Sequence, residues 1–163
     1  MKIKNKKLVQ VMDWRAAFWA GIINSVVFAV INFFVLPVIL YTNSWVIIRL
    51  YASVFLGENI LAPPATFDFQ ALIFGIASVF VFSMLFTMLI AFILHRWGLL
   101  VGILGGAVLG LSIYLINFYS VSYFFPWFFP LGSWSFVLTH IIFGAVAGGI
   151  YELLEVEKLV PED

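Results

Sequence analysis

Few residues in this chain have side chains that could do chemistry. It carries two histidines, His95 and His140, and no cysteine, which excludes thiolate metal ligands, thiol nucleophiles and disulfides. Polar residues within its apolar stretches are sparse, and those that could form a path or cluster include Asn24, Asn32, Ser83, Thr87, Tyr114, Asn117 and His140. No Asp, Glu, Lys or Arg lies in the middle of such a stretch, so the charged relay typical of ion-coupled pumps is absent. No nucleophile–base constellation, Gly-rich phosphate loop or metal-ligand spacing is present. His95 and His140 fall near opposite faces and cannot share one haem. The expectation is a non-catalytic protein with no cofactor and no metal.

The elements that must position these residues follow from composition. The chain is 64% hydrophobic and 10% charged, with a mean hydropathy of +1.15, outside the range of soluble domains. Its 163 residues make one membrane domain, 1–163, of the all-α class. Four spans are expected, at about 16–41, 69–94, 98–119 and 132–151; at about 1.5 Å per residue the shortest covers about 30 Å. The first is too long for a signal peptide and lacks a cleavage pattern, so it is expected to be retained. Seven of the eight basic residues, Lys2, Lys4, Lys6, Lys7, Arg15, Arg96 and Lys158, fall on one side of this arrangement and Arg49 alone on the other. The positive-inside rule then makes both termini cytoplasmic. Lys2 to Lys7 suit anionic lipid headgroups. Net charge is zero, and nothing points to nucleic acid.

Each span has a ridge of small or polar residues. Gly98, Gly102, Gly106 and Gly110 recur every fourth residue in span three, ahead of Tyr114. His140, Gly144 and Gly148 do so in span four, ahead of Glu152. Small residues let helix backbones approach closely in lipid, where hydrophobicity cannot drive association. Matching depths in the antiparallel pair sets Tyr114 opposite His140, Gly110 opposite Gly144, Gly106 opposite Gly148 and Gly102 opposite Glu152. Asn32 falls at a similar depth and Asn117 somewhat nearer the surface, which suggests a polar cluster of Asn32, Tyr114, Asn117 and His140. The cluster reads as interhelical hydrogen-bond glue, or as a small-ligand or proton site.

Two outer loops are unusual. In the first, Ser44 is placed as the cap of a helix that runs to about Leu56, too short to span, to lie in the interface or dip against the bundle as a re-entrant segment. Gly57 ends it, Pro63–Pro64 keep the chain extended, and Asp68 is placed as the N-cap of span two. Arg49 in this helix could reach a lipid phosphate, pair with Glu58 or Asp68, or bind a substrate anion. In the second, YFFPWFFPLGSW (123–134) has no charge. Phe125, Trp127, Phe128 and Trp134 form either an aromatic collar at headgroup level or a lid or docking surface for another apolar protein. At the C-terminus, Glu152–Val160 is expected to prolong span four as a short helix, frayed or docking, with Leu153, Val156 and Val160 on one side.

Asp13-Trp14-Arg15-Ala16-Ala17, Pro63-Pro64-Ala65-Thr66-Phe67-Asp68, Asn117-Phe118-Tyr119, Phe125-Pro126-Trp127-Phe128, and His140 with Phe143-Gly144 form one pattern along nearly the whole chain. It resembles a family of small four-span bacterial inner-membrane proteins of unknown function, some labelled sodium:proline symporter. The resemblance implies a bacterial inner-membrane location and no established activity. Sodium-coupled carriers use many helices, discontinuous segments and repeats, none of which is legible here.

The reading drawn from these features is an accessory or assembly subunit of a larger inner-membrane complex, or a homo-oligomer, whose partners are membrane lipids and other subunits or itself. One alternative is a small channel or uncoupled carrier with a path past Asn24, Asn32, Ser83, Thr87 and His140. A second is a lipid- or quinone-binding protein that uses the aromatic outer loop and Arg49.

Overall fold

The computed structural model describes residues 8–156 and 158–161; the Lys2–Lys7 patch lies outside them. Four helices are long and apolar enough to cross a membrane: α1 (Trp14–Ile39), α3 (Phe69–Leu94), α4 (Gly98–Phe124) and α5 (Trp134–Leu154). A shorter apolar helix, α2 (Ser44–Leu56), lies between α1 and α3. The protein is a four-span all-α membrane bundle with a fifth helix packed into one end. Both described chain ends meet at one face, here the terminal face; the connections at 40–43, 57–68 and 125–133 form the distal face.

The caps explain where the helices start. Asp13 accepts hydrogen bonds from the backbone N–H groups of Arg15 and Ala16, at 3.0 and 3.3 Å, so α1 begins two residues before its expected start. Asn43, rather than Ser44, caps α2 by accepting from Val46 N, and Asp68 caps α3 by accepting from Ala71 N at 2.8 Å. Within α1, Pro37 has no N–H to give to the turn before it, and the helix widens to a π-turn over Ile31–Val35. That wide turn carries Asn32 to a fully buried position.

α2 packs on the distal half of α3. Gly75 has Ile48 against it, where a Cβ would come within 2.6 Å of the Ile48 carbonyl. Ser78 Oγ donates to Tyr51 O at 2.8 Å. The two contacts advance together along both helices, so α2 dips into the bundle rather than lying flat on its surface. α1 packs on α3 and α5, and α5 packs most closely on α4, whereas the consecutive helices α3 and α4 touch each other little.

The C-terminal segment differs from expectation. α5 stops at Leu154, and Glu155 is extended. Lys158–Pro161 (β2) then pairs antiparallel with Leu8–Val11 (β1), Val9 opposite Val160. The expected helical prolongation over Glu152–Val160 is therefore replaced by a two-stranded ribbon. Tyr151 fixes the junction: its hydroxyl accepts from Asp13 N at 3.3 Å and donates to Glu155 Oε1 at 2.9 Å, and Gln10 Nε2 donates to the same carboxylate oxygen. The ladder between β1 and β2 gives the backbone of the extended tail its partners in the other strand, and the Tyr151, Glu155 and Gln10 bonds fix where α5 gives way to it.

Candidate functional site: an aromatic cavity

The contact between α4 and α5 sets the site. A Cβ on Gly106 would run into the Gly144 carbonyl, one on Gly110 into the His140 carbonyl, and one on Gly148 into the Gly102 carbonyl. Each glycine thus sits against the other helix's backbone, between two residues of the facing ridge. The register differs by about half a turn from direct opposition: Gly144 is held between Gly106 and Gly110, and Gly102 between Gly148 and Glu152. Interdigitation lets the backbones come closer than facing Cα atoms would permit. Gly98 is not part of this contact. Nothing lies within 4 Å of its Cβ position, and its φ of +75° serves the turn that starts α4.

This close packing brings the rings of Tyr114 and His140 to 5.3 Å, edge to face, with Phe28 against the other side of His140 at 5.5 Å. His140 Nδ1 lies 2.9 Å from Phe136 O. A carbonyl only accepts, so Nδ1 carries the proton and Nε2 is an acceptor. The expected four-residue cluster is divided. Tyr114, Asn117 and His140 line one cavity, while Asn32 is turned away from it. Asn32 Nδ2 donates to Phe28 O at 2.8 Å, and its Oδ1 accepts from Tyr51 Oη at 2.8 Å. Tyr51 was not legible as a site residue, because only the dip of α2 brings it to α1.

The cavity holds about 200 Å³. Phe82 and Phe86 of α3, Phe118 and Val121 of α4, Phe136 and Phe143 of α5, Phe28 of α1 and Tyr51 of α2 contribute to its wall. The aromatic loop closes it at the distal end. Phe125 and Phe128 line it, and Trp127 Nε1 donates to Ser53 Oγ at 2.9 Å, which ties the loop to α2. So three of the four aromatic residues assigned to an outer surface turn inward, because proline-bounded turns fold residues 126–131 back over the bundle. Trp134 remains 83% exposed.

Arg49 holds the other distal loop. Its Nη1 donates to the carbonyls of Ile60 and Ala62 and its Nη2 to that of Thr66, at 3.0 to 3.3 Å. The guanidinium fork thus spans the turn before α3, and Asp68 is occupied as the α3 cap.

At mid-depth a second polar group lies behind the cavity wall. Asn24 Nδ2 donates to Thr87 Oγ1 at 2.9 Å and to Phe143 O at 3.3 Å, joining α1, α3 and α5. Two buried atoms here have no partner: Asn24 Oδ1 and Ser83 Oγ, the latter on the cavity wall. Toward the distal end Ser122 Oγ is likewise unpartnered and also lines the cavity. Chemically, the site offers apolar rings and a few neutral hydrogen-bonding groups. No family model, curated protein or solved structure matches this chain in comparisons with known proteins.

Proposed function

We propose that this chain is a non-catalytic multi-pass protein of the bacterial inner membrane, with cytoplasmic termini, that binds an apolar molecule of lipid or quinone type. The cavity carries this reading: it is largely aromatic, about 200 Å³ in volume, and bordered by α3 and α4, which touch each other little. Apolar cavities of about 150 Å³ stay dry and accept benzene-sized guests, so this one has room for a substituted ring or a chain segment. Its loosely packed side gives an apolar molecule a route from the bilayer. The same dry lining speaks against a water-filled channel past His140. The placement of seven of eight basic residues supports the orientation.

A second reading, a subunit of a larger complex or a homo-oligomer, is supported by a separate feature. Tyr119, Tyr123, Phe124, Phe129 and Trp134 are strongly exposed along the distal edge of α4 and α5, a surface suited to another apolar protein. The glycines of α4 and α5 do not add to that reading, since they are used within the chain.

Gentle extraction from native membranes followed by native mass spectrometry separates the two readings. The ligand reading expects one small apolar molecule per chain that survives delipidation and is released by organic solvent. A stoichiometric second protein with no retained small molecule would replace it with the subunit reading.

A further inference from the structure

The unpartnered polar atoms around the cavity are of two kinds. Asn24 Oδ1, Ser83 Oγ and Ser122 Oγ are covered by protein atoms, so no guest reaches them. Tyr114 Oη, the Asn117 amide and His140 Nε2 also lack a hydrogen-bond partner among the described residues. None of these three groups is covered over, and all belong to residues on the cavity wall. Tyr114 and Asn117 are three residues apart and share a face of α4. At about 1.5 Å of rise per residue they lie about 10–15 Å inside the distal end of that helix, within the hydrocarbon depth of a bilayer. A polar group left open there without water costs free energy, which a guest that pairs with it recovers.

The three groups differ in what they ask of a guest. Tyr114 and Asn117 can each donate and accept. His140 Nε2 only accepts, because Nδ1 holds the proton and lies 2.9 Å from Phe136 O. The imidazole is fixed in place between Phe28, at 5.5 Å, and Tyr114, at 5.3 Å. With Nδ1 tied back to its own helix, Nε2 on the far side of the ring points away from the α5 backbone. An acceptor so placed calls for a donor. A carbonyl, an ether or a hydrocarbon leaves it unpaired, whereas a hydroxyl pairs with it. No Asp, Glu, Lys or Arg among the described residues lines the cavity, so the polar group of the guest must be neutral. The rings of Phe28, Phe136 and Phe143 and the side chain of Val121 suit an aromatic ring or hydrocarbon around that hydroxyl.

We propose that the cavity selects a neutral amphiphile carrying a phenol or alcohol hydroxyl, which donates to His140 Nε2. This rests on the reading of the cavity as a ligand site and adds the chemistry by which the guest is recognised.

The test uses the full chain in phospholipid nanodiscs with two tritiated probes, 4-decylphenol and 4-decylanisole. In the second a methyl group replaces the hydroxyl proton, and ring and chain are the same. Saturable binding is counted above the partition into empty nanodiscs. The native protein should hold the phenol about tenfold more tightly, the scale of one buried hydrogen bond. His140→Phe keeps the ring contacts and removes the acceptor, so the two probes should bind it alike. Equal affinities in the native protein overturn the proposal, and are the result if a bound water already satisfies Nε2. A preference for the phenol that survives His140→Phe also overturns it, since probe size or the Tyr114 and Asn117 groups would then account for it. Should His140→Phe not fold, 15N NMR of the histidine-labelled native protein decides. The Nε2 resonance should shift with the phenol and not with the anisole; a shift with both or with neither overturns the proposal. Equal saturable binding of the two probes would leave the ligand site itself standing, and no saturable binding of either would remove it.

Discussion

The carbonyl of Phe136 determines how His140 works. Because it accepts from Nδ1 within one helix, the imidazole contributes no hydrogen bond between helices; its links to α1 and α4 are ring contacts with Phe28 and Tyr114. Edge-to-face pairs contribute about 0.5–1.5 kcal/mol each beyond burial. His140→Ala should therefore lower stability by about 1–2 kcal/mol, and His140→Phe, which keeps the ring, should restore more of it than His140→Gln. Thermal unfolding of the three variants in detergent decides this, and rescue by Gln but not Phe would assign the residue a polar role instead. The pairing of Tyr114 with His140 was legible from depth counting along antiparallel spans. Asn32 was not, since its partner Tyr51 belongs to a helix whose inward dip leaves no mark on local periodicity. Ser83 and Thr87 were visible as polar residues, but which of them finds a partner depends on Asn24 from another span.

Helices α3, α4 and α5 follow directly from runs of apolar residues broken by Pro, Gly and capping residues, since the bilayer leaves a helix as the only way to satisfy the backbone. α2 was equally clear as an element, with only its tilt open. The ribbon of β1 and β2 could not be read, because pairing between segments about 150 residues apart is a long-range event that neither four-residue segment encodes alone. The α4–α5 contact is the element on which the cavity depends. Gly106→Leu must push a side chain into the Gly144 backbone, an overpacking with no flexible neighbour to yield, and should cost about 3 kcal/mol or more. Val108→Leu, on the 64% exposed face of the same helix, should stay within about 0.5 kcal/mol. Leu109 is not a suitable control, because it packs against the core cluster. Equal losses for Gly106→Leu and Val108→Leu in thermal unfolding would show that close backbone approach is not what holds these helices.

At the scale of the whole molecule, the chain builds a bundle that is tight on one side and loose on the other. The glycines draw α4 onto α5, α1 and α2 pack on α3, and α3 and α4 are left with a gap lined by aromatic side chains. The distal end of that gap is closed by a loop tied down through Trp127 and Ser53. In a chain of 163 residues with few polar side chains in its spans, this void is the most specific feature a ligand could use. Val121 borders it toward the distal end. Val121→Trp should fill part of the void without touching the glycine contact, so the variant should fold and melt close to the native protein. The direct measurement is native mass spectrometry of both proteins extracted from the same membranes, with the small molecules retained by each quantified. The account predicts one apolar molecule per native chain and little or none on Val121→Trp; equal retention by the two proteins would contradict it.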